Sequence, residues 1–333
     1  MARRTVEISR DKAHLSVRDG QLLIIRDGEA SSDHAGGGRS PDRPDLATTR
    51  SMRSRIPCED LGLVLVDHPE TTYTHAALTT LAQAGAALVV CGRDHLPTAV
   101  LLPLSSHTEQ VWRVSDQIDC GKVIQKQLWT AIVRAKIIAQ ASNLAPDSPA
   151  HRRLMALARR VRSGDPENLE AQAARVYWSA LFPSRGDWTF KRKPRDRTPP
   201  NNLLDYGYAV LRAAVARALV GAGLFPAIGI HHSNRSNAFC LADDLVEPLR
   251  PMIDRRARHL FNQGHSGLDQ PTKAELLLIL TAIVGLGQDA TIGPLDAALP
   301  RYAASLARSL ASGRVELLIP VEPPGPEAQT CLT

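Results

Sequence analysis

The sequence predicts an α+β fold, with a β-rich N-terminal domain followed by a larger all-α C-terminal domain. Three observations predict it. Short β-rich runs separated by turn residues fill much of the first hundred positions. The run 125–144 contains no Gly or Pro. Leu204, Tyr208, Leu211, Val215 and Leu219 then recur at helical spacing. A chain of 333 residues can hold two domains, placed at 1–104 and 105–320 with a loose Pro-rich tail at 321–333.

In chain order, His14–Arg18 and Gln21–Ile25 are β-rich and flank Asp19-Gly20, a pair that favours positive φ, so they predict a hairpin. Leu61–Val66 reads as a strand. Thr74–Ala84 has helical composition and leads into a buried strand, Ala86–Cys91. Pro97 and Pro103 place the domain junction nearby. Asp27–Ser54 is rich in Ser, Gly, Asp and Arg with almost nothing to bury, and is expected to be a disordered insertion. From Glu109 onward the pattern is helical: 125–144, Glu170–Phe182, 204–219 (with Asp205, Arg212 and Arg217 off the stripe), Leu276–Val284 and Ala303–Leu310.

Composition removes several function classes. The longest strongly apolar stretch, Leu276–Leu286, is too short to span a bilayer, and the N-terminus has no apolar signal core. Cys58, Cys91, Cys120, Cys240 and Cys331 are scattered, odd in number and without Cys-x-x-Cys spacing. That argues for a reducing compartment and against a zinc site, so a cytoplasmic protein is expected. The net charge of +6 permits nucleic-acid binding, and its distribution is more informative. Arg152, Arg153, Arg159, Arg160 and Arg162 form one cluster. Lys191, Arg192, Lys193, Arg195 and Arg197 form a second beside Trp188 and Phe190, and Arg250, Arg255, Arg256 and Arg258 a third. Solvated helix faces are the competing reading; three clusters around the same ionisable positions favour a surface that tracks phosphates.

Those positions are Glu170, His232 and Glu247. Glu170 lies on the apolar stripe Ala173/Ala174, Tyr177/Trp178, Leu181/Phe182, where a carboxylate is costly unless a positive group meets it. The alternative is an exposed glutamate favoured by the helix dipole. His232 ends an apolar run, and the alternative there is a satisfied core histidine, with His231 adding ambiguity. For Glu247 the alternative is a capping box with Asp243 or Asp244, although Pro248 and Pro251 strain a plain helix. Two carboxylates and an imidazole would suit Mg²⁺ or Mn²⁺, and with them phosphodiester chemistry.

Glu170-Ala-Gln-Ala-Ala-Arg-Val-Tyr-Trp178, Asn202-Leu-Leu-Asp-Tyr-Gly-Tyr-Ala209, Gly229-Ile-His-His232 and Asp244-Leu-Val-Glu-Pro-Leu-Arg-Pro251 occur in this order. Together they resemble the CRISPR-associated adaptation integrase, the first-numbered Cas protein. Ile56-Pro-Cys-Glu-Asp-Leu-Gly-Leu-Val-Leu-Val-Asp-His68 extends the resemblance toward the N-terminus. The Gly-Ile-His-His form looks most like members from type II systems. The resemblance implies that Glu170, His232 and Glu247 are the catalytic metal ligands. It makes Asp244 an auxiliary acid and Arg250 a phosphate contact. Arg255, Arg256, Lys191, Arg192 and Lys193 are the expected DNA-binding residues. Asn202 and Tyr208 match as well, with a helix cap and a core tyrosine as their alternatives.

The implied activity is that of a metal-dependent DNA endonuclease and integrase. In it the 3′-hydroxyl of a spacer precursor attacks a phosphodiester of the CRISPR repeat. The implied partners are double-stranded and branched DNA, a second copy of the chain in a homodimer, and the small second-numbered Cas protein. Two rivals remain on the residues alone. One is a metal-dependent phosphodiesterase acting on RNA or small molecules, which needs no broad basic surface. The other is a non-catalytic DNA-binding scaffold.

Overall fold

The computed structural model describes residues 3–26, 52–103, 107–287 and 291–323. After a first strand, β1 (Arg4–Ile8), the chain runs through β2 (Ala13–Arg18) and reverses at Asp19-Gly20, where both residues take positive φ of 52° and 72°. It returns as β3 (Gln21–Arg26), with Arg18 opposite Gln21 and Ala13 opposite Arg26. This is the expected hairpin. Residues 27–51 of the expected insertion lie outside the described residues. Met52–Ser54 do not belong to an insertion, because β4 (Met52–Pro57) pairs antiparallel with β3.

The next stretch forms a second sheet. β5 (Leu61–Val66) lies parallel to β1, and β6 (Thr72–Tyr73) adds to the hairpin sheet beside β2. α1 (His75–Gln83), capped by the Thr74 hydroxyl, then crosses over to β7 (Ala87–Cys91), parallel to β5. β8 (Pro97–Leu101) closes that sheet antiparallel to β7. The two sheets have the orders β4-β3-β2-β6 and β1-β5-β7-β8.

All six residues of β5 are buried, and the reason is positional. Leu61, Val64 and Val66 join Leu15, Leu22, Ile24 and Leu81 in a core with the hairpin sheet. Leu63 and Leu65, with Ala87 and Val89, pack instead into the core of the helical part. A strand buried on both faces has no polar alternation to show, which is why this run reads as continuously apolar.

The helical part begins with α2 (Gln110–Asp119) and α3 (Lys122–Ser142). α4 (Pro149–Arg160), α5 (Leu169–Leu181) and α6 (Asn201–Gly221) follow. α6 is its axis, buried along nearly its whole length from Leu203 to Val220. α7 (Cys240–Val246) leads through a 3-10 turn at Glu247–Leu249 into α8 (Arg250–Asn262). Pro248 and Pro251 each fall in the first turn of a new segment, where a missing N–H breaks no helical bond. The strain expected of them is therefore absent.

A further expectation is corrected. Leu276–Val284 is not a helix: α9 (Gln270–Leu277) ends early, a 3-10 turn covers Leu278–Thr281, and the chain becomes β9 (Ile283–Leu286). β9 pairs antiparallel with β10 (Thr291–Pro294) and β11 (Pro320–Val321), on either side of α10 (Leu295–Ser312). The helical part thus carries a small sheet and is not all-α. A short apolar run has no periodicity to separate helix from strand, and β-branched Ile283 and Val284 tip it to strand. Among the described residues no helix is long and apolar enough to cross a membrane.

Candidate active site

Glu170 sits in the first turn of α5, and that turn is tightly fixed. The Asn168 side chain accepts from Ala171 N at 3.3 Å, and the Asp165 carboxylate accepts from Leu169 N at 2.8 Å and Glu170 N at 3.0 Å. With the helix-start donors taken by Asp165 and Asn168, the Glu170 carboxylate is not spent on capping. It is also not a solvated surface glutamate: its side chain is 24% exposed and Oε1 accepts from Lys136 Nζ of α3 at 2.6 Å.

Glu247 converges on the same ammonium. Its side chain is 5% exposed; Oε2 accepts from Lys136 Nζ at 2.5 Å, and Oε1 faces Arg250 Nη2 at 3.1 Å. Burial pushes this carboxyl upward, but the Arg250 guanidinium and Lys136 ammonium outweigh it and hold the group at about 2. The same pairing works on the lysine. Burial disfavours its charge, yet Glu247 and Glu170 together raise it above its ordinary value. The Lys136 ammonium thus stands against the ionised Glu247 carboxylate, with the Glu170 Oε1 atom at 2.6 Å on its other side.

His232 is positioned by Asp244, which is fully buried. One carboxylate accepts from the backbone of Ile230 (2.6 Å), His231 (3.0 Å) and His232 (3.1 Å), and also faces His232 Nδ1 at 2.6 Å. The loop is wound around that carboxylate so closely that a Cβ on Gly229 would meet His232 O at 2.2 Å and Asp244 Oδ2 at 3.0 Å. Only glycine fits there. The hydrogen bond to Asp244 raises the imidazole above its ordinary pKa against the opposing effect of burial, and Glu247 adds to the rise. Asp244 is therefore neither a helix cap nor a free acid. The adjacent His231 turns elsewhere and stacks on Trp129, ring centroids 4.0 Å apart and planes within 3°.

Whether these residues suit a divalent cation is decided by donor chemistry and by what stands between them. Ionised carboxylate oxygens and an imidazole nitrogen suit Mg²⁺ or Mn²⁺. With Nδ1 committed to Asp244, Nε2 is the ring nitrogen left to ligate. As the side chains lie, no three His, Cys, Asp or Glu among the described residues are grouped closely enough to hold a metal. The carboxylates do share a cation seat, and the Lys136 ammonium is in it. The donor set fits, with the protein's own cation standing in.

Around the site lies a buried network that the sequence did not announce. Asp254 of α8 accepts from Tyr177 OH at 2.9 Å and from Tyr208 OH. Burial raises its carboxyl to about 7, against the two tyrosine donors that favour the charge. Asn143 donates to Tyr177 OH at 2.8 Å and to Pro251 O at 2.7 Å, tying α3 to α5 and α8. The Arg250 guanidinium lies 4.8 Å from the centroid of the Tyr208 ring. Tyr208 is thus a core tyrosine, whereas Asn202, within the first turn of α6, donates to Ser266 O at 2.9 Å and accepts from Leu203 N at 2.9 Å. Lys136 was missed by the sequence reading. A signal existed: it falls on the buried stripe of α3 with Trp129, Ile132, Val133, Ile137 and Gln140.

The basic clusters divide. Lys191 and Lys193 are exposed, but Arg192 ties the chain to Asp205 and, at 3.1 Å, to Asn201 Oδ1. Arg255 and Arg256 face Glu322, Arg256 at 3.9 Å. Arg160 and Arg162 bind Glu167 at 3.0 and 2.7 Å, while Arg152 and Arg153 are exposed.

Comparison with known proteins places this geometry. Residues 6–280 match the family model described as CRISPR associated protein Cas1. The CRISPR-associated endonuclease Cas1 of Neisseria meningitidis serogroup C (strain 8013) is 40% identical over 232 residues, covering 69% of this chain and 74% of that protein. A casposase bound to integration product shares the fold at TM-score 0.72 and 16% identity, over 94% of this chain and 92% of that one. So does a chain of a Cas6-RT-Cas1–Cas2 complex, at TM-score 0.69 and 16% identity, over 96% of this chain and 36% of that longer one. With the family match running from the first strand through Glu170, His232, Glu247 and the elements that carry them, this chain belongs to the CRISPR-associated Cas1 family.

Proposed function

We propose that this chain is a metal-dependent DNA endonuclease and integrase of CRISPR adaptation. It inserts spacer DNA into the CRISPR repeat by attack of a 3′-hydroxyl on a phosphodiester. The observation that carries the reading is the shared cation seat. Glu170 and Glu247, from separate elements, aim carboxylate oxygens at one point, beside a histidine whose free nitrogen is set by a buried carboxylate. The name of the Neisseria relative, an endonuclease, supports the reaction class. So does the shared fold with a casposase bound to integration product.

Glu170, His232 and Glu247 hold Mg²⁺ or Mn²⁺ in this reading. The bound ion supplies Lewis-acid stabilisation of charge on phosphate oxygens and lowers the pKa of the attacking hydroxyl. The chain's own residues do the rest. Asp244 keeps the proton on His232 Nδ1 and the lone pair on Nε2. Arg250 keeps Glu247 ionised and presents a guanidinium, 29% exposed, to an arriving phosphate. Exposed Lys191, Lys193, Arg152 and Arg153 follow the backbone of double-stranded or branched DNA without reading its bases. A homodimer associated with the second-numbered Cas protein, acting in the cytoplasm of a type II system, is the assembly this reading carries. The fold shared with a chain of a Cas1–Cas2 complex supports the protein partner.

The test is nicking and strand transfer on branched CRISPR-repeat DNA with Mn²⁺, comparing wild type with Glu170→Gln, His232→Ala and Glu247→Gln. Wild type should turn over, and all three variants should bind DNA yet be inactive. Retained activity in the variants would make the cluster structural and remove the site assignment.

A further inference from the structure

We propose that Lys136 is a built-in counter-cation, occupying the seat between Glu170 and Glu247 until a divalent metal displaces it, and so setting metal affinity. The inference rests on the metal-site reading above and concerns a residue that reading does not use. Three observations lead to it.

The first is position. Lys136 Nζ binds one oxygen of each carboxylate at 2.6 and 2.5 Å, although Glu170 and Glu247 lie 34 and 111 residues from it in sequence. A divalent cation of the magnesium type would bind such oxygens at about 2.0–2.1 Å. The ammonium thus stands further from each oxygen than a metal would.

The second is charge. Lys136 and Arg250 already balance Glu170 and Glu247. A His232 that ligates through Nε2 is neutral, so Asp244 then counts as a third carboxylate. A divalent ion added with the lysine in place would set four positive charges against three carboxylates; with the lysine withdrawn the charges balance. The two cations also need the same carboxylate oxygens, so metal and ammonium exclude one another.

The third is confinement. The lysine side chain is 12% exposed and sits on the buried stripe of α3, so it cannot remain beside the seat as a solvated bystander. Its four-carbon stem can rotate, whereas Glu247 is also held by Arg250 at 3.1 Å and the Glu170 backbone by Asp165 at 3.0 Å.

A closed seat weakens apparent metal affinity by the fraction of molecules in which it is open. A seat open in about one molecule in ten weakens it about tenfold. The test is Mn²⁺ titration of the full chain without DNA, followed by electron paramagnetic resonance of free Mn²⁺. Wild type is compared with Lys136→Met, Lys136→Gln, Glu170→Gln and Glu247→Gln. The lysine variants should bind Mn²⁺ about tenfold more tightly or better, and the glutamate variants should lose it. In wild type, acetylation of Lys136 by acetic anhydride, read by mass spectrometry, should rise when Mn²⁺ is added. That measurement decides where a variant does not fold. Unchanged or weaker Mn²⁺ binding in folded lysine variants, or labelling that Mn²⁺ does not raise, overturns the inference and leaves the metal site standing. Mn²⁺ binding that survives in Glu170→Gln and Glu247→Gln removes the metal site itself.

Discussion

Asp244→Asn is the most exacting perturbation of this site, because it changes one atom and leaves the shape nearly intact. The wild-type carboxylate meets four donors: Ile230 N and His231 N at Oδ2, and His232 N and Nδ1 at Oδ1. An amide has one acceptor oxygen, so it must choose. Turning its nitrogen toward Ile230 and His231 would oppose two backbone donors. Turning it toward His232 opposes one, and lets the amide donate to Nδ1 once that nitrogen gives up its proton. The second orientation wins, and it moves the imidazole proton to Nε2, the atom needed for a metal. Net contributions of charge-assisted hydrogen bonds are about 1.5–3 kcal/mol each, and a donor facing a donor adds a desolvation penalty. The expected loss of stability is therefore roughly 3–5 kcal/mol, of the size seen when a buried pair is broken. Mn²⁺ affinity should fall about 10–100-fold, as for other residues that orient a metal-binding histidine. Urea unfolding and Mn²⁺ titration of the two proteins measure both. The raised His232 pKa gives a pH signature: its contribution is full below the ordinary value of 6.5 and is lost as pH rises through the folded value. The stability gap between the proteins should accordingly narrow at high pH. A variant within about 0.5 kcal/mol of wild type, with Mn²⁺ affinity unchanged, would refute this account of the loop.

Three further outcomes are expected. Asp254, raised by burial to about 7 from 3.8, contributes stability that is full below about pH 4 and lost toward pH 7. Asp254→Asn should flatten that decline, worth at most about 4 kcal/mol, in denaturation curves taken across the range. Gly207 lets α6 approach α8, and a Cβ there would lie 2.5 Å from Ile253 Cγ2. Gly207→Ala should cost roughly 1–3 kcal/mol in spite of its better helix propensity, and Ile253→Ala should recover part of the loss in a double-mutant cycle. Lys191→Glu with Lys193→Glu should weaken duplex binding and shallow its salt dependence by about two phosphate contacts without changing the melting temperature. Arg192→Ala, which releases Asp205 and Asn201, should lower the melting temperature; equal behaviour of the two sets would dissolve the distinction.

Local chemistry made much of this fold legible. The Asp-Gly turn, the helical run Thr74–Ala84 and the stripe of α6 are short-range signals, and the structure contains each where the residues place it. The run 276–286 failed because its apolar residues form one continuous block, and β9 owes its identity to pairing with β10 and β11. The partners of that pairing lie on both sides of α10, outside any local window. Met52–Ser54 failed for the same reason: their strand is defined by β3, across a long intervening segment.

The site divides along the same line. Glu170, His232 and Glu247 stood out because each is ionisable in apolar surroundings, a property of its own neighbours in sequence. Lys136 has that property too, on a stripe with Trp129, Ile132 and Ile137. A lysine on a helix is ordinarily read as a solvated residue whose stem covers apolar surface. What distinguishes this one is a pair of carboxylates 34 and 111 residues away. Glu170 poses the costly question of what positive group meets a carboxylate beside the core, and on the proposed reading the complete answer has two cations. One is the metal that the donor set suits. The other is already present in the chain, and its place between the glutamates explains how two neighbouring acids, one of them buried, tolerate one another before any metal arrives.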